Sequence, residues 1–170
     1  MNIYLTGYMA SGKSTVGKAL AARLGMDFCD LDDLFVQRSG RQIADFFAAE
    51  GEESFRDKEA ELLAEIAAQT NFVVSTGGGT PCREQNLRLM LDSGKVFFLD
   101  VPPDELARRL LPEKEQRPLI RNVEEDELES FVQSHLIERI DCYRRAHFKV
   151  SANQPTEKVV DAIVDLLTRR

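Results

Sequence analysis

Short apolar runs alternate with amphipathic stretches along most of the chain. The apolar runs predict five strands, which in chain order read IYL, FCD, FVVST, VFFLDV and FKVSA. Apolar positions at helical spacing lie between them and predict helices over STVGKALAARLG, REQNLRLMLDSG and residues 125–146. Strands that are apolar on both faces and alternate with helices indicate an α/β fold with a parallel sheet.

The remaining segments fit the same plan. The chain from Leu31 to about Gln69 is predicted to be helical in pieces, with breaks at Gly40 and Gly51. We expect a short helix near 103–111, then a polar loop over PEKEQRP, and a terminal helix that opens at Pro155. The motifs GYMASGKST, DLDD and GGG each follow a predicted strand. Because open parallel sheets bind ligands at the carboxyl ends of their strands, these motifs predict one active cleft.

Composition narrows the classes of protein to consider. A length of 170 residues suits a single domain spanning 1–170, and 43% hydrophobic with 30% charged residues is typical of a globular protein. The formal net charge of -7 argues against nonspecific binding to nucleic acid. No apolar run approaches the length of a membrane span, and the first residues already predict a core strand, so we expect no signal peptide. We therefore expect a soluble cytoplasmic protein with no membrane partner.

The cysteines carry no visible pattern. Cys29, Cys82 and Cys142 are far apart in the sequence, so neither a zinc-binding spacing nor a local disulfide framework is evident. We expect three packed or surface thiols in a reducing compartment.

The segment GYMASGKST fits the phosphate-binding loop, or P-loop. Gly7, Gly12, Lys13 and Ser14 match the spacing GxxxxGK[ST] between a strand and a helix. The glycines allow backbone N–H groups to turn towards a phosphate, and the helix N-terminus adds a positive field. Lys13 can reach the outer phosphates, and the Ser14 hydroxyl can bind Mg²⁺. Ala10 stands where similar loops often have glycine, but the general pattern leaves this position free, so we expect little effect.

The segment DLDD places carboxylates next to the predicted cleft. Asp30 ends a strand and Asp32 follows two residues later. A carboxylate here can hold metal-bound water, accept a hydrogen bond from an acceptor hydroxyl or remove its proton. Alternatively, Asp30, Asp32 or Asp33 could cap the helix that begins at this point. The residues alone leave both interpretations open.

Two further motifs could contact a substrate. Arg56 lies beside the apolar Phe55 on a predicted helix and could grip an anion through both guanidinium N–H pairs, with Glu59 holding it in place. It could also be a solvated surface cation with helical partners. Gly77–Gly79 follow a strand directly, and the lack of side chains would let their backbone N–H groups approach a substrate closely.

Later arginines are candidates for additional anion contacts. Arg117 lies in the polar loop and could move onto the phosphates as a lid closes, or it could belong to an exposed loop without this role. Arg139 could bind a second anionic group or be a solvated helix cation, and Tyr143 lies on the same helix face. Together these residues predict a Mg–ATP-dependent phosphotransferase for a small hydroxylated molecule that also carries a negative group.

The motifs GYMASGKST, DLDD, GRQIADFFAAEGEESFRDKE, STGGG, RPL and RIDCYRRA, in this order and spacing, resemble shikimate kinase over essentially the whole chain. The resemblance implies a three-layer α/β/α P-loop kinase with a five-stranded parallel sheet, a mobile lid at about 112–124 and a helical substrate-binding region at about 31–61. It implies ATP-dependent phosphorylation of the 3-hydroxyl of shikimate, a step of aromatic amino acid biosynthesis, by a monomer. The segment LPEKEQRP lacks the glycines that many members have there.

The resemblance also implies a role for each matching position. The catalytic residues would be Lys13, Asp32 and Arg117. ATP would be bound by Gly7, Ala10, Ser11, Gly12, Lys13, Ser14, Thr15, Arg109, Arg117, Asn153 and Pro155. Shikimate would be bound by Asp32, Arg56, Gly77, Gly78, Gly79 and Arg139. Mg²⁺ would be held by Ser14, with Asp30 acting through water. Two alternatives remain: a kinase for another small hydroxy acid or a related small molecule, and a nucleotide-binding homologue without catalysis.

Overall fold

One parallel sheet organises the molecule. The computed structural model describes residues 1–169. The five strands are β1 (Asn2–Thr6), β2 (Asp27–Asp30), β3 (Phe72–Ser75), β4 (Gly94–Asp100) and β5 (Phe148–Ser151), in the order β2-β3-β1-β4-β5. The helices are α1 (Lys13–Leu24), α2 (Leu31–Ser39), α3 (Ile43–Ala67), α4 (Glu84–Ser93), α5 (Pro103–Leu110), α6 (Leu128–Tyr143) and α7 (Thr156–Thr168). The predicted five-stranded parallel α/β fold is confirmed.

The central strand shows why the fold has three layers. Every residue of β1 is buried, and successive side chains point to opposite faces of the sheet. Ile3 and Leu5 belong to the core on the side of α1, α5, α6 and α7. Tyr4 belongs to the other core, which packs against α2, α3 and α4. The sheet is therefore covered on both faces, as parallel sheets generally are.

The strand order determines where a ligand can enter. From β1 the chain moves to one side of the sheet to form β2 and β3, and later to the other side to form β4 and β5. A crevice forms at the carboxyl end of β1, where these two directions diverge. The segment 7–12 occupies this crevice, and the segments after β2 and β3 lie along the same edge of the sheet.

Element boundaries differ from expectation in a few places. The break at Gly40 ends α2. The break at Gly51, which has φ 85°, is a kink within α3. A 3-10 turn covers Leu111–Gln116 where an irregular loop was expected. The long helix expected from residue 125 begins with a 3-10 turn, and Pro155 precedes the first residue of α7.

The expectation of three separate thiols is wrong for two cysteines. Cys82 and Cys142 form a disulfide between segments 60 residues apart, with Cα atoms separated by 5.2 Å. Only the fold brings them together, so no sequence spacing signals the pair. Cys29 is free. Across residues 1–169, no helix combines the length and apolar character that a bilayer crossing would require.

Candidate active site

The P-loop is a backbone structure between β1 and α1. Gly7 and Gly12 have φ values of 147° and 93°, which a residue with a Cβ rarely adopts. A Cβ on Gly7 would also lie 2.8 Å from the carbonyl oxygen of Leu99. No side-chain hydrogen bond caps the start of α1 in the described part of the chain, so its first N–H groups remain available to an anion. Ser11 is buried within this turn.

Lys13 folds back over this loop. Its Nζ donates hydrogen bonds to the carbonyl oxygens of Gly7 (2.9 Å) and Tyr8 (2.8 Å). Burial lowers the pKa of Lys13 to about 8, the carboxylates of Asp32 and Asp30 oppose this shift, and the nearby cations add to it. Those cations are Arg117 and Arg139. Lys13 is therefore close enough to Arg117 and Arg139 for their charges to act on it.

A cluster of oxygen atoms adjoins the start of α1. The Ser14 hydroxyl donates to the carboxylate of Asp30 and lies 3.2 Å from the Ser75 hydroxyl. Asp30 also accepts from the backbone N–H groups of Asp32 and Asp33, at 3.0 and 3.4 Å. The capping alternative is therefore correct for Asp30, which contacts Ser14 at the same time.

This oxygen cluster suits Mg²⁺, which binds hard oxygen ligands. Within residues 1–169 no three His, Cys, Asp or Glu side chains converge as a self-sufficient metal site. That result is compatible with Mg²⁺ in a nucleotide site, because such an ion takes one or two protein ligands and completes its shell with phosphates and water. The residues that fit are Ser14 and Asp30.

Asp32 lies in the first turn of α2, with its carboxylate near the loop after β3. Packing around its carboxyl group raises its pKa to about 6, and the carboxylates of Asp30 and Glu59 add to this effect. Lys13 and Arg56 act in the opposite direction. The side chain remains accessible to solvent. Asp32 is therefore a partly desolvated carboxylate. It lies near both the P-loop lysine, Lys13, and Arg56, a candidate for binding the acceptor molecule.

Arg56 is held by its neighbours on α3 and by the loop after β3. Its Nη1 donates to Glu59 at 3.0 Å, and its side chain is 17% exposed. Glu59, which is 3% exposed, also accepts from Thr80 at 2.8 Å. A Cβ on Gly79 would lie 2.6 Å from Nη2 of Arg56. The arginine thus has a fixed position, and it needs glycine at that point of the loop.

The other glycines of this loop contact further site residues. A Cβ on Gly77 would lie 2.7 Å from a carboxylate oxygen of Glu59 and 3.4 Å from one of Asp32. A Cβ on Gly78 would lie 2.9 Å from Nη1 of Arg139. The three glycines therefore allow Asp32, Arg56 and Arg139 to converge on a single loop.

A cavity adjoins the P-loop on the side of α5 and α7. It has a volume of about 410 Å³, and its wall includes Ala10, Ser11, Gly12, Thr15, Arg109, Arg117, Gln154 and Pro155. Arg109 donates to the carbonyl oxygens of Ala10 (3.3 Å) and Ala152 (3.0 Å), which joins this wall to the P-loop. Of the residues predicted in the segment before α7, Pro155 lines the cavity. Among residues 1–169, the cavity wall includes the neighbouring Gln154 but not the predicted Asn153.

Arg117 reaches this cavity from the segment after the 3-10 turn. Its Nε donates to Glu113 at 2.9 Å, and both side chains are partly exposed. An exposed ion pair of this kind contributes little net stability, so a phosphate can replace Glu113 as its partner at small cost. Another cavity, of about 360 Å³, lies between α2 and α3 and contains none of the predicted site residues.

Several contacts were not anticipated. Ser75 joins the oxygen cluster, and its place at the carboxyl end of β3 is a signal that could have found it. The Tyr8 hydroxyl forms a 2.8 Å hydrogen bond with Nδ1 of His135, which ties the P-loop to α6. No local sequence pattern indicates that pair, because the two residues are 127 positions apart.

A parallel α/β sheet with a P-loop at its switch point, facing clustered cations and a carboxylate, defines a P-loop phosphotransferase of the small-molecule kinase type. The family model described as shikimate kinase matches residues 9–168. The chain therefore belongs to the shikimate kinase family.

Individual relatives agree with this assignment. The chain is 42% identical to a shikimate kinase of Bacteroides thetaiotaomicron over 91% of its length and 88% of that protein. It is 40% identical to one of Salinibacter ruber, over 99% of this chain and 85% of the other. A crystal structure of the B. thetaiotaomicron enzyme superposes with a TM-score of 0.93 at 39% identity and covers 99% of both chains. The Acinetobacter baumannii shikimate kinase in complex with shikimate gives 0.90 at 33% identity, with 98% and 92% covered.

Proposed function

We propose that this chain transfers the γ-phosphoryl group of ATP to the 3-hydroxyl of shikimate, which yields shikimate 3-phosphate and ADP. The observation that carries the proposal is the convergence of Asp32, Arg56 and Arg139 on the glycine loop, beside the P-loop lysine. This arrangement offers a carboxylate for a hydroxyl and two guanidinium groups for a carboxylate, within reach of a bound nucleotide. Membership of the shikimate kinase family supports the choice of acceptor.

On this proposal, the P-loop amides and Lys13 hold the outer phosphates, while the cavity beside Arg109 and Pro155 takes the adenosine part of ATP. The positive field of Lys13, Arg117 and Arg139 offsets charge on the transferring group. Arg117 leaves Glu113 when the lid, residues 112–124, closes over the phosphates. Asn153 and Gln154 border the same region of the nucleotide.

Asp32 acts on the acceptor hydroxyl. With a pKa of about 6, it is mostly ionised at neutral pH and accepts the hydrogen bond of that hydroxyl. As the oxygen–phosphorus bond forms, the bond from the γ-phosphorus to the bridging oxygen breaks, ADP leaves and the hydroxyl proton is released. Arg56 and Arg139 fix the acceptor through its carboxylate, and the backbone of Gly77–Gly79 adds further contacts to it. Most of the catalysis is then positioning and charge stabilisation.

Mg²⁺ belongs to the same proposal. Ser14 and Asp30 would hold it, with Asp30 acting through water, and the ion would supply positive charge next to the β- and γ-phosphates. The hydrogen bond from Ser14 to Asp30 supports this assignment, because it keeps the two side chains next to each other.

We further propose that the enzyme works in the cytoplasm as a monomer, on small molecules rather than on nucleic acid or membranes. The formal charge of -7 supports the exclusion of nonspecific nucleic-acid binding. The polar and charged lining of the cleft suits small anionic substrates.

The decisive experiment measures ADP release from Mg–ATP with shikimate present and absent. We expect release to depend on shikimate and to stop when a chelator removes Mg²⁺. The same assay with gluconate and with nucleoside monophosphates as acceptors tests the alternative kinases. Release with one of those acceptors but not with shikimate would contradict the proposal. Tight ATP binding with no transfer to any acceptor would instead favour a homologue without catalysis.

A further inference from the structure

The Cys82–Cys142 pair lies next to the part of the cleft that is proposed to bind the acceptor, where Arg139 meets the glycine loop Gly77–Gly79. Cys82 ends the 3-10 turn Thr80–Cys82, which directly follows the glycine loop. Cys142 lies near the end of α6, three positions after Arg139. Their Cα separation of 5.2 Å falls within the usual range for a disulfide. Cys82 is exposed and Cys142 is half-buried, so a small reagent in solvent can reach the pair.

The two segments that this bond joins also meet through site residues. The Tyr143 hydroxyl donates a 2.7 Å hydrogen bond to the carbonyl oxygen of Gly78. A Cβ on Gly78 would lie 2.9 Å from Arg139, so the guanidinium group packs directly over the loop. The Sγ atom of Cys142 lies 2.9 Å from the backbone oxygen of Arg139. The bond therefore fixes α6 against the glycine loop at the place where both present groups to the acceptor.

We propose that Cys82 and Cys142 form a redox modification site that sets the affinity of the enzyme for its acceptor. This proposal rests on the proposed function, because the acceptor it concerns is the one assigned there. A low-molecular-weight disulfide oxidises the two cysteines to form the bond, and a dithiol reduces it again. Disulfides in cytosolic proteins are usually transient and serve catalysis or redox sensing.

The chemistry is thiol–disulfide exchange. One cysteine thiolate attacks a sulfur of the small disulfide and releases one small thiol, and the second cysteine thiolate then displaces the other. Two cysteine thiols lose two protons and two electrons, and the small disulfide gains both to become two thiols. A dithiol runs the same steps in reverse. No other oxidant or reductant is needed.

The direction of the effect follows from the contacts that remain. A disulfide holds its sulfurs about 2.0 Å apart, whereas two thiols must separate to non-bonded contact. Reduction therefore lets the turn at Cys82 and the end of α6 move apart, and the Tyr143–Gly78 hydrogen bond is left to hold them. Neither cysteine belongs to the P-loop or to the described wall of the cavity beside Arg109. The oxidised form should thus bind the acceptor more tightly, with ATP binding unchanged.

The test compares the two redox states of the same full-length protein. The protein is oxidised with oxidised glutathione or reduced with dithiothreitol, and the reagent is removed. Maleimide labelling after denaturation then measures how many cysteines remain as thiols. The chain has three cysteines, and oxidation should leave Cys29 as the labelled thiol. We expect the KM for shikimate to be about tenfold lower in the oxidised form, which is less than the roughly 100-fold that a 1 Å misplacement of a positioning group can cost. The KM for ATP should not change.

Variants separate the bond from other effects of the reagents. Cys82→Ser and Cys142→Ser should keep the higher KM for shikimate under both treatments. Cys29→Ser is the matched control, because it removes a thiol outside the pair, and it should respond as the wild-type protein does. Equal KM values in the two states, with the bond verified, would overturn the proposal, as would failure of the bond to form.

A second measurement distinguishes failure of this proposal from failure of the proposed function. Amide hydrogen exchange of residues 76–82 requires no turnover, and we expect slower exchange in the oxidised protein. If no redox state releases ADP with shikimate, the proposed function fails and exchange alone decides whether the bond fixes the loop. Equal exchange in both states would overturn the redox site by itself.

Discussion

The two halves of the cleft are built in different ways. On the proposed function, the phosphate-binding part of the nucleotide half is one contiguous segment, from Gly7 to Thr15, whose binding groups are mostly backbone amides at the start of a helix. The acceptor half takes Asp32 from α2, Arg56 from α3, the loop after β3 and Arg139 from α6. One half is set by local chain geometry and the other by tertiary contacts between distant elements.

This difference determines how each half responds to change. Backbone amides keep their positions as long as the turn keeps its dihedral angles, so few side chains there are indispensable. The acceptor half depends on side chains that are oriented by other side chains, as Arg56 is oriented by Glu59, and on glycines that leave room for them. We therefore expect substitutions to separate the two halves cleanly in their effects on the two KM values.

The largest effect should come from Lys13, the charged side chain of the segment Gly7–Thr15. Lys13→Ala removes the cation that faces the outer phosphates, and we expect kcat to fall by at least about 100-fold, as it does when other preorganised transition-state contacts are removed. ADP release at saturating shikimate measures the effect. Lys18→Ala, which removes an exposed lysine from the same helix, is the control and should keep near-normal activity. Comparable activity in the two variants would contradict the role of Lys13.

The same contrast explains what the sequence could predict. The P-loop could be recognised because its signal is a local spacing between a strand and a helix. The position of Gly77–Gly79 at the cleft could be predicted, because they follow a strand, but the convergence of Arg56 and Arg139 on them could not, since each arginine alone is also compatible with a solvated helix surface. Resemblance to a family supplied that half.

Other features lay beyond local patterns altogether. The Cys82–Cys142 bond and the Tyr8–His135 hydrogen bond join residues 60 and 127 positions apart, and only the packed fold defines them. Asp30 shows why the capping and catalytic alternatives could not be separated from the sequence. It caps α2 and contacts Ser14 with the same carboxylate.

On the acceptor half, Arg56→Ala should weaken shikimate binding while ATP binding is nearly unchanged. Removing one partner of a hydrogen-bonded charge pair costs about 2–4 kcal/mol, which corresponds to a rise in the KM for shikimate of roughly 30-fold to 1,000-fold. Steady-state kinetics with each substrate varied in turn measure the two KM values.

Arg83→Ala is the matched control for Arg56→Ala. Arg83 also pairs with carboxylates of α3, those of Glu53 and Asp57, and none of its hydrogen bonds or ion pairs within residues 1–169 involves the site residues named above. It should leave both KM values close to normal. If Arg56→Ala raised the KM for ATP as much as that for shikimate, with the fold intact, the division of the cleft into two halves would be wrong.

A smaller effect should appear in the pH profile, where each half contributes one limb. On the proposed mechanism Asp32 acts in its ionised form, so activity should fall as pH drops through about 6, by roughly tenfold per pH unit below that point. Lys13 acts in its protonated form on the same proposal, so activity should fall as pH rises through about 8. The profile of kcat/KM for ATP, which reports the free enzyme, should therefore be bell-shaped.

The two limbs can be assigned by their response to bound substrate. Phosphates beside Lys13 favour its charged form, so the alkaline limb should move to higher pH in the profile of kcat, which reports the substrate complex. Lys13→Arg should also remove that limb, because a guanidinium group stays charged throughout. An alkaline limb that remains at the same pH in Lys13→Arg would show that another group causes it.

The smallest effect concerns the backbone of the nucleotide half alone. Ala10 has φ 61°, a left-handed conformation that costs a residue with a Cβ about 1–2 kcal/mol. Ala10→Gly removes this cost but raises the entropy of the unfolded chain, which offsets about 0.4–1 kcal/mol. We therefore expect a net rise of about 0.5 kcal/mol in the free energy of unfolding, measured by urea denaturation, with both KM values close to those of the wild type.

Ala22→Gly is the matched control for this change, because Ala22 is an exposed residue with right-handed geometry within α1. There glycine brings only the entropic cost, and stability should fall by about 1 kcal/mol. Stability changes of opposite sign for alanine to glycine at positions 10 and 22 would show that the backbone dihedral angles at position 10 limit the choice of residue there, rather than contacts of its side chain. Equal losses in the two variants would mean that Ala10 is not strained, and the nucleotide half would then owe more to side-chain packing than its backbone geometry implies.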